Sequence, residues 1–164
     1  MNAPVIVAAC AAVFVLAAGG ALTTIGPWYE NLRKPSWQPP KWAFAPAWTI
    51  IMALVAVGGV LGWRATADAR AHALLIALFT INGVFHVGWS LLFFRLRRPD
   101  WALAEVVLLW LSIAALISAL LPLSALGALA LAPYIAWVTF AAFLNRAIVR
   151  LNAPFGGVLP VGRH

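Results

Sequence analysis

The chain has 164 residues, of which 65% are hydrophobic and only 9% charged, with a mean hydropathy of +0.97. A water-soluble domain of this length needs far more polar surface, so that class is excluded. The net charge of +7 comes without a basic stripe interleaved with aromatics, so no nucleic-acid partner is expected.

The pattern predicts an all-α integral membrane protein, a compact bundle of five transmembrane helices forming a single domain over 1–164. About 20 apolar residues cross a bilayer core. Runs of that length fall at about 5–22, 43–63, 71–94, 101–121 and 125–149. Barrel strands would be about 10 residues long with alternating polarity, and none appear. The first run lacks a basic leader, because residues 1–7 contain no Lys or Arg, so it reads as a retained helix. Cys10 lies within it and has no intrachain partner for a disulfide. The connection at 121–124 is so short that the fourth and fifth helices are expected to be antiparallel neighbours. Gly58 and Gly62 form a small-xxx-small pair that would bring helices close, within a protomer or between two.

Orientation follows from the cations. The side holding the first loop, the third loop and the C-terminus carries Arg33, Lys34, Lys41, Arg95, Arg97, Arg98, Arg146, Arg150 and Arg163. The other side carries Arg64 and Arg70. The positive-inside rule then places the N-terminus outside and the C-terminus in the cytoplasm, in a membrane expected to be bacterial.

The first loop, about 23–42, is long for so small a chain. Pro35, Pro39 and Pro40 hold its backbone extended, and Trp28, Tyr29, Trp37 and Trp42 give it rigid apolar surface. Such a loop is either an aromatic belt at the headgroups or a functional element. Counting along the helices places Trp48, Trp89, Trp101 and Trp137 at roughly 0–18 Å from the loop side, within reach of one cavity. His86 and Trp89 share a helix face. So do Trp101, Ala104, Glu105 and Leu108, and likewise Tyr134, Trp137, Ala141 and Leu144. Each has a plain alternative: Glu105 as an interfacial acid paired with Arg97 or Arg98, and His86 as a core histidine with a helix partner. His72 sits near the outer interface without an expected role.

The segment Trp28-Tyr29-x-x-Leu32-x-Lys34-Pro35-x-Trp37-x-Pro39-Pro40 resembles the loop signature of the TspO/MBR family, the translocator proteins or tryptophan-rich sensory proteins. Pro46-x-Trp48, Trp89-Ser90-x-x-Phe93-Phe94, Trp101-Ala102-Leu103-x-Glu105 and Pro133-Tyr134-x-x-Trp137-x-x-Phe140-Ala141-x-x-Leu144-Asn145 extend the resemblance over nearly the whole chain. It implies a five-helix homodimer in membrane lipid, with one pocket per protomer on the loop side. It further implies protoporphyrin IX or a haem-related tetrapyrrole as ligand, with no obligatory cofactor. The pocket positions it carries over are Trp28, Tyr29, Trp48, His86, Trp89, Trp101, Ala104, Glu105, Trp137, Ala141 and Leu144. The function implied is porphyrin binding linked to sensing, regulation or transport. The alternatives are light-dependent porphyrin degradation through Trp48 and Trp137, or transport of tetrapyrroles or lipids. Two positions depart from the pattern: His86 stands where the family has Asn, and Arg146 where the sterol motif of animal members has Tyr. No Ser-His-Asp arrangement or metal cluster suggests other catalysis. His72 and His86 are too far apart on one helix, roughly 21 Å, to clamp one haem iron.

Overall fold

The structure, a computed structural model, describes residues 3–23 and 25–155. Among these residues are seven α-helices: α1 (Ala3–Leu22), α2 (Pro27–Asn31), α3 (Phe44–Arg64), α4 (Ala69–Ser90), α5 (Pro99–Leu120), α6 (Ala125–Ala130) and α7 (Ala132–Asn152). Five spans are long and apolar enough to cross a membrane: α1, α3, α4, α5, and α6 with α7 taken together.

Helix starts follow local chemistry. The Asp68 side chain caps α4, accepting from the Arg70 and Ala71 backbone N–H groups. Ser124 does the same for α6 through Gly127. Pro27 and Pro99 open α2 and α5, where the missing N–H costs nothing. The end of α4 widens into a π turn over Leu91–Arg95, and Arg97, at φ 54°, reverses the chain into α5.

Two expectations need correction. The fifth span is two helices rather than one over 125–149, with a break at Leu131. Pro133 lacks the N–H to continue the ladder, and its ring would crowd the carbonyl four residues back. The first loop is not extended throughout, because it contains α2. Lys34 Nζ closes that short helix by donating to the carbonyls of Tyr29 (2.6 Å), Glu30 (3.0 Å) and Leu32 (3.1 Å).

The spans close into a ring, with contacts running from α1 to α4, α5, α7 and α6, then through α3 back to α1. α5 is the most deeply set. Its Ala102, Val106, Leu109, Ile113, Leu116 and Leu120 are all 3% exposed or less, and their spacing alternates four and three. The Gly58 contact lies within the protomer. A Cβ there would stand 2.8 Å from the Gly127 carbonyl oxygen and 2.5 Å from Leu131 Cδ1, so α3 and α6 touch backbone to backbone. At Gly62 a Cβ would meet Leu120 at 2.3 Å.

One end of the ring gathers the first loop, the α4–α5 turn and the last turn of α7. The Arg33 N–H donates to Asn152 Oδ1 at 2.8 Å, and Asn152 Nδ2 donates to the Arg33 carbonyl at 2.8 Å. Tyr29 packs on Phe94 with ring centres 5.6 Å apart. Eight of the nine cations grouped from the sequence therefore share this end, and Arg163 lies outside the described residues. Arg64 and Arg70 lie at the opposite end, beside His72, whose ring stacks on Trp63 at 3.7 Å.

Candidate functional site

Beneath the loop lies a cavity of about 420 Å³, walled by α1, α3, α4, α5 and α7 and covered by α2. Helical geometry explains its aromatic lining. His86 and Trp89 project from one face of α4, and Phe93 and Phe94 follow from the π turn. Trp137, Ala141 and Leu144 project from α7, and Trp48 from α3. Trp48 meets its neighbours edge to face: His86 at 4.6 Å, Tyr134 at 6.1 Å and Trp137 at 6.3 Å between ring centres. Trp89 stacks on Phe93 at 5.0 Å. On the α1 side Gly19 and Gly20 present bare backbone, which widens the space opposite the indoles.

A buried polar line runs behind His86. Tyr134 is fully buried, and its hydroxyl donates to Asn82 Oδ1 at 3.2 Å and lies 3.3 Å from His86 Nδ1. Asn82 Nδ2 donates to Ser112 Oγ at 2.8 Å. The Trp89 indole N–H is buried with no partner among the described residues, leaving a donor for a guest to satisfy.

The cover is pinned at several points. Glu30 and Lys41 form an ion pair across the loop. That bond holds the Glu30 carboxyl below its ordinary range. Lys34 lies over the Tyr29 ring at 4.6 Å, and its burial among the α2 carbonyls lowers its pKa. Burial pushes the Tyr29 phenol up, against the smaller effect of Gln38 Nε2, which donates to its oxygen at 3.4 Å. The loop thus presents Ile25 and Tyr29 to the cavity, with Lys41 at its edge.

Of the positions named from the sequence, Tyr29, Trp48, His86, Trp89, Trp137, Ala141 and Leu144 line this cavity. Four do not. Trp28 packs behind the cover against Phe93 at 6.2 Å. Trp101 is 51% exposed, with the Arg98 guanidinium 4.1 Å from its ring. Ala104 is exposed on the same outer face. Glu105 lies beside Gly88, with both carboxylate oxygens buried and unpaired among the described residues. Its expected pairing with Arg97 or Arg98 is absent, because Arg98 binds Asp100 instead. The inward face of α5 carries Val106 and Leu109. Sequence reasoning missed Gly19 and Gly20, for which the only signal is a glycine pair near the end of an otherwise bulky apolar run. It also missed Ser112 and Asn82, polar residues in mid-span.

The described residues contain no group of three or more His, Cys, Asp or Glu able to hold a metal ion. The arrangement is suited to enclosing a flat apolar molecule against indole and phenol faces, with few polar contacts.

Comparison with known proteins agrees with this architecture. The sequence profile of the TspO/MBR family matches residues 6–151. The tryptophan-rich protein TspO of Chlorobaculum tepidum is 36% identical over 161 residues, covering 93% of this chain and 99% of that protein. The tryptophan-rich sensory protein of Cereibacter sphaeroides is 34% identical, over 81% of this chain and 82% of that one. The human translocator protein is 33% identical, over 79% and 78%. With five spans in this arrangement and a match over nearly its whole length, the chain is an integral, multi-pass membrane protein and belongs to the TspO/MBR family.

Proposed function

We propose that the chain is a membrane-embedded binding protein for porphyrins and related flat apolar ligands, with protoporphyrin IX or a haem-related tetrapyrrole as its guest. The observation that carries this reading is the enclosure of one cavity of about 420 Å³ by Tyr29 and three indoles, those of Trp48, Trp89 and Trp137. That volume falls within the range of roughly 300–1,000 Å³ typical of small-molecule sites. The bare backbone at Gly19 and Gly20 and the small Ala141 leave room opposite the aromatic faces. The loop end, with its eight described cations, faces the cytoplasm in this reading. The protein works as a homodimer in a bacterial membrane, as the family resemblance implies.

Light-dependent degradation of the bound pigment is a second reading. It is favoured by the 6.3 Å approach of Trp48 and Trp137 at one wall of the cavity. A single experiment addresses both. Protoporphyrin IX is titrated into purified protein in darkness, with tryptophan fluorescence as readout, and the complex is then illuminated. Saturable quenching is the expected result, and its absence would refute the binding reading. Loss of pigment in light that needs Trp48 and Trp137 would add the degradation reading.

A further inference from the structure

The buried polar line behind His86 has one self-consistent set of bond directions, read from its far end. There the Leu109 carbonyl, which can only accept, takes the Ser112 hydroxyl proton at 2.7 Å. Ser112 Oγ, its one proton committed, lies 2.8 Å from Asn82 and accepts from the Nδ2 amide. Asn82 therefore turns Oδ1 to Tyr134 and takes the phenol proton at 3.2 Å. The Tyr134 oxygen has then only lone pairs to offer His86 Nδ1, 3.3 Å away, so Nδ1 must carry the proton. A neutral imidazole has one N–H, and Nε2 is left as a bare acceptor. These side chains are 8% exposed or less.

Nε2 emerges at the wall of the cavity formed by α1. A Cβ on Gly19 would stand 3.5 Å from it and 3.7 Å from Ser90 Oγ. Glycine here leaves the space of about one methyl group beside the imidazole, His86 lines the cavity, and no hydrogen bond reaches Nε2 among the described residues.

We propose that the Ser112–Asn82–Tyr134 line locks His86 in the Nδ1–H tautomer, and that the bare Nε2 at the cavity wall favours, among small flat apolar ligands, those bearing an N–H donor on their edge; a porphyrin, whose N–H groups point to the centre of its ring, is held by the indole faces and not by this acceptor. This deepens the reading of the cavity as a site for flat ligands and rests on it. A guest without a donor leaves a buried acceptor unpaired, whereas one with a donor completes the line. Asparagine at this position would offer both an acceptor and a donor and would not discriminate in this way.

Two measurements test it. The first needs no ligand. Protein with ¹⁵N-labelled histidine is placed in nanodiscs, and the His86 signals are assigned by their loss in His86→Asn. The expected spectrum has a protonated Nδ1 and an unprotonated Nε2. Tyr134→Phe should shift the proton towards Nε2, and Ser112→Ala, which removes the anchor with less disturbance to packing, should give a mixture. A wild-type proton on Nε2 would overturn the proposal.

The second measurement compares carbazole with dibenzofuran by calorimetry, because the two share one fused three-ring shape and differ at the bridging atom, N–H in one and O in the other. Carbazole should bind about three- to tenfold more tightly to the wild type. The preference should vanish in His86→Phe. Equal affinities, or failure of both to bind while protoporphyrin IX still quenches, would overturn the selection. Failure of protoporphyrin IX alone would count against the porphyrin reading and leave the tautomer result standing.

Discussion

The cover over the cavity is tied to the last turn of α7 by one side chain, and cutting that tie should open it. Asn152 acts as a surrogate strand partner for Arg33, accepting from its N–H and donating to its carbonyl, each at 2.8 Å across 119 residues of sequence. Its Nδ2 also donates to the Ile148 carbonyl, which orients the amide. A net hydrogen bond contributes about 0.5–1.5 kcal/mol, and these two are solvent-exposed, so Asn152→Ala should cost about 1–2 kcal/mol of cover attachment. That raises the detached fraction about 5- to 30-fold. Amide exchange at Arg33 should accelerate by that factor, and a bound porphyrin should dissociate faster. The α5 core amides should keep their protection, since Asn152 lies beyond the core. Asn152→Asp keeps the acceptor for the Arg33 N–H and loses the donor, so it should fall between. Unchanged exchange at Arg33, or equal acceleration in α5, would refute the idea of a separately opening cover.

Further outcomes follow from the same geometry. Trp137→Ala and Trp48→Ala should weaken protoporphyrin quenching, whereas Trp101→Ala, which removes a ring on the outer face, should leave the affinity unchanged. Gly58→Ala gains about 1 kcal/mol of helix propensity but meets the Gly127 carbonyl at 2.8 Å, an overpacking cost of about 1–3 kcal/mol. Its unfolding midpoint should fall below that of Gly20→Ala, where nothing lies within 4 Å and only the gain applies. Glu105→Met should raise the midpoint, because both carboxylate oxygens are buried without a partner; a fall would show that a group outside the described residues holds them. Glu30 is depressed by Lys41, so the ion pair tethers the cover fully above the ordinary Glu value of 4.5 and is lost as pH falls through the lowered one. Protection of the loop amides, corrected for the intrinsic pH dependence of exchange, should therefore fall in acid, and Glu30→Gln should abolish that fall.

The five spans were legible because hydropathy is a local sum that twenty residues settle on their own. The loop end was legible for a similar reason, since cations cannot be left at mid-bilayer. What escaped depended on single backbone atoms. The break at Leu131 comes from one missing N–H at Pro133 within an otherwise unbroken apolar run. Helix α2 ends where Lys34 folds back on three carbonyls, an arrangement that the prolines around it disguise as extended chain. The glycine contact at residue 58 was visible as a motif, but its partner, Gly127, lies three spans further along the sequence.

The rotation of α5 shows why the site was harder to read than the fold. In water, the apolar face of a helix is its buried face. In a bilayer both faces are apolar, and polar residues become the better marker of the inside. On α4 and α7 that marker points to the cavity and the polar line behind it: Asn82 and His86, and Tyr134, are all turned inward, and Trp89, Trp137, Ala141 and Leu144 follow them. On α5 Glu105 and Ser112 sit at the border of the buried stripe, and Ser118 is exposed. A face drawn through Trp101, Ala104, Glu105 and Leu108 is therefore displaced by about 100°, the angle of one residue, from the stripe of Ala102, Val106 and Leu109. That displacement moves Trp101 from the cavity to the outer surface, where its ring meets Arg98 instead of a ligand. The corrected register also brings Ser112 within reach of Asn82, so the helix that supplies no aromatic to the cavity supplies the anchor of the polar line behind it.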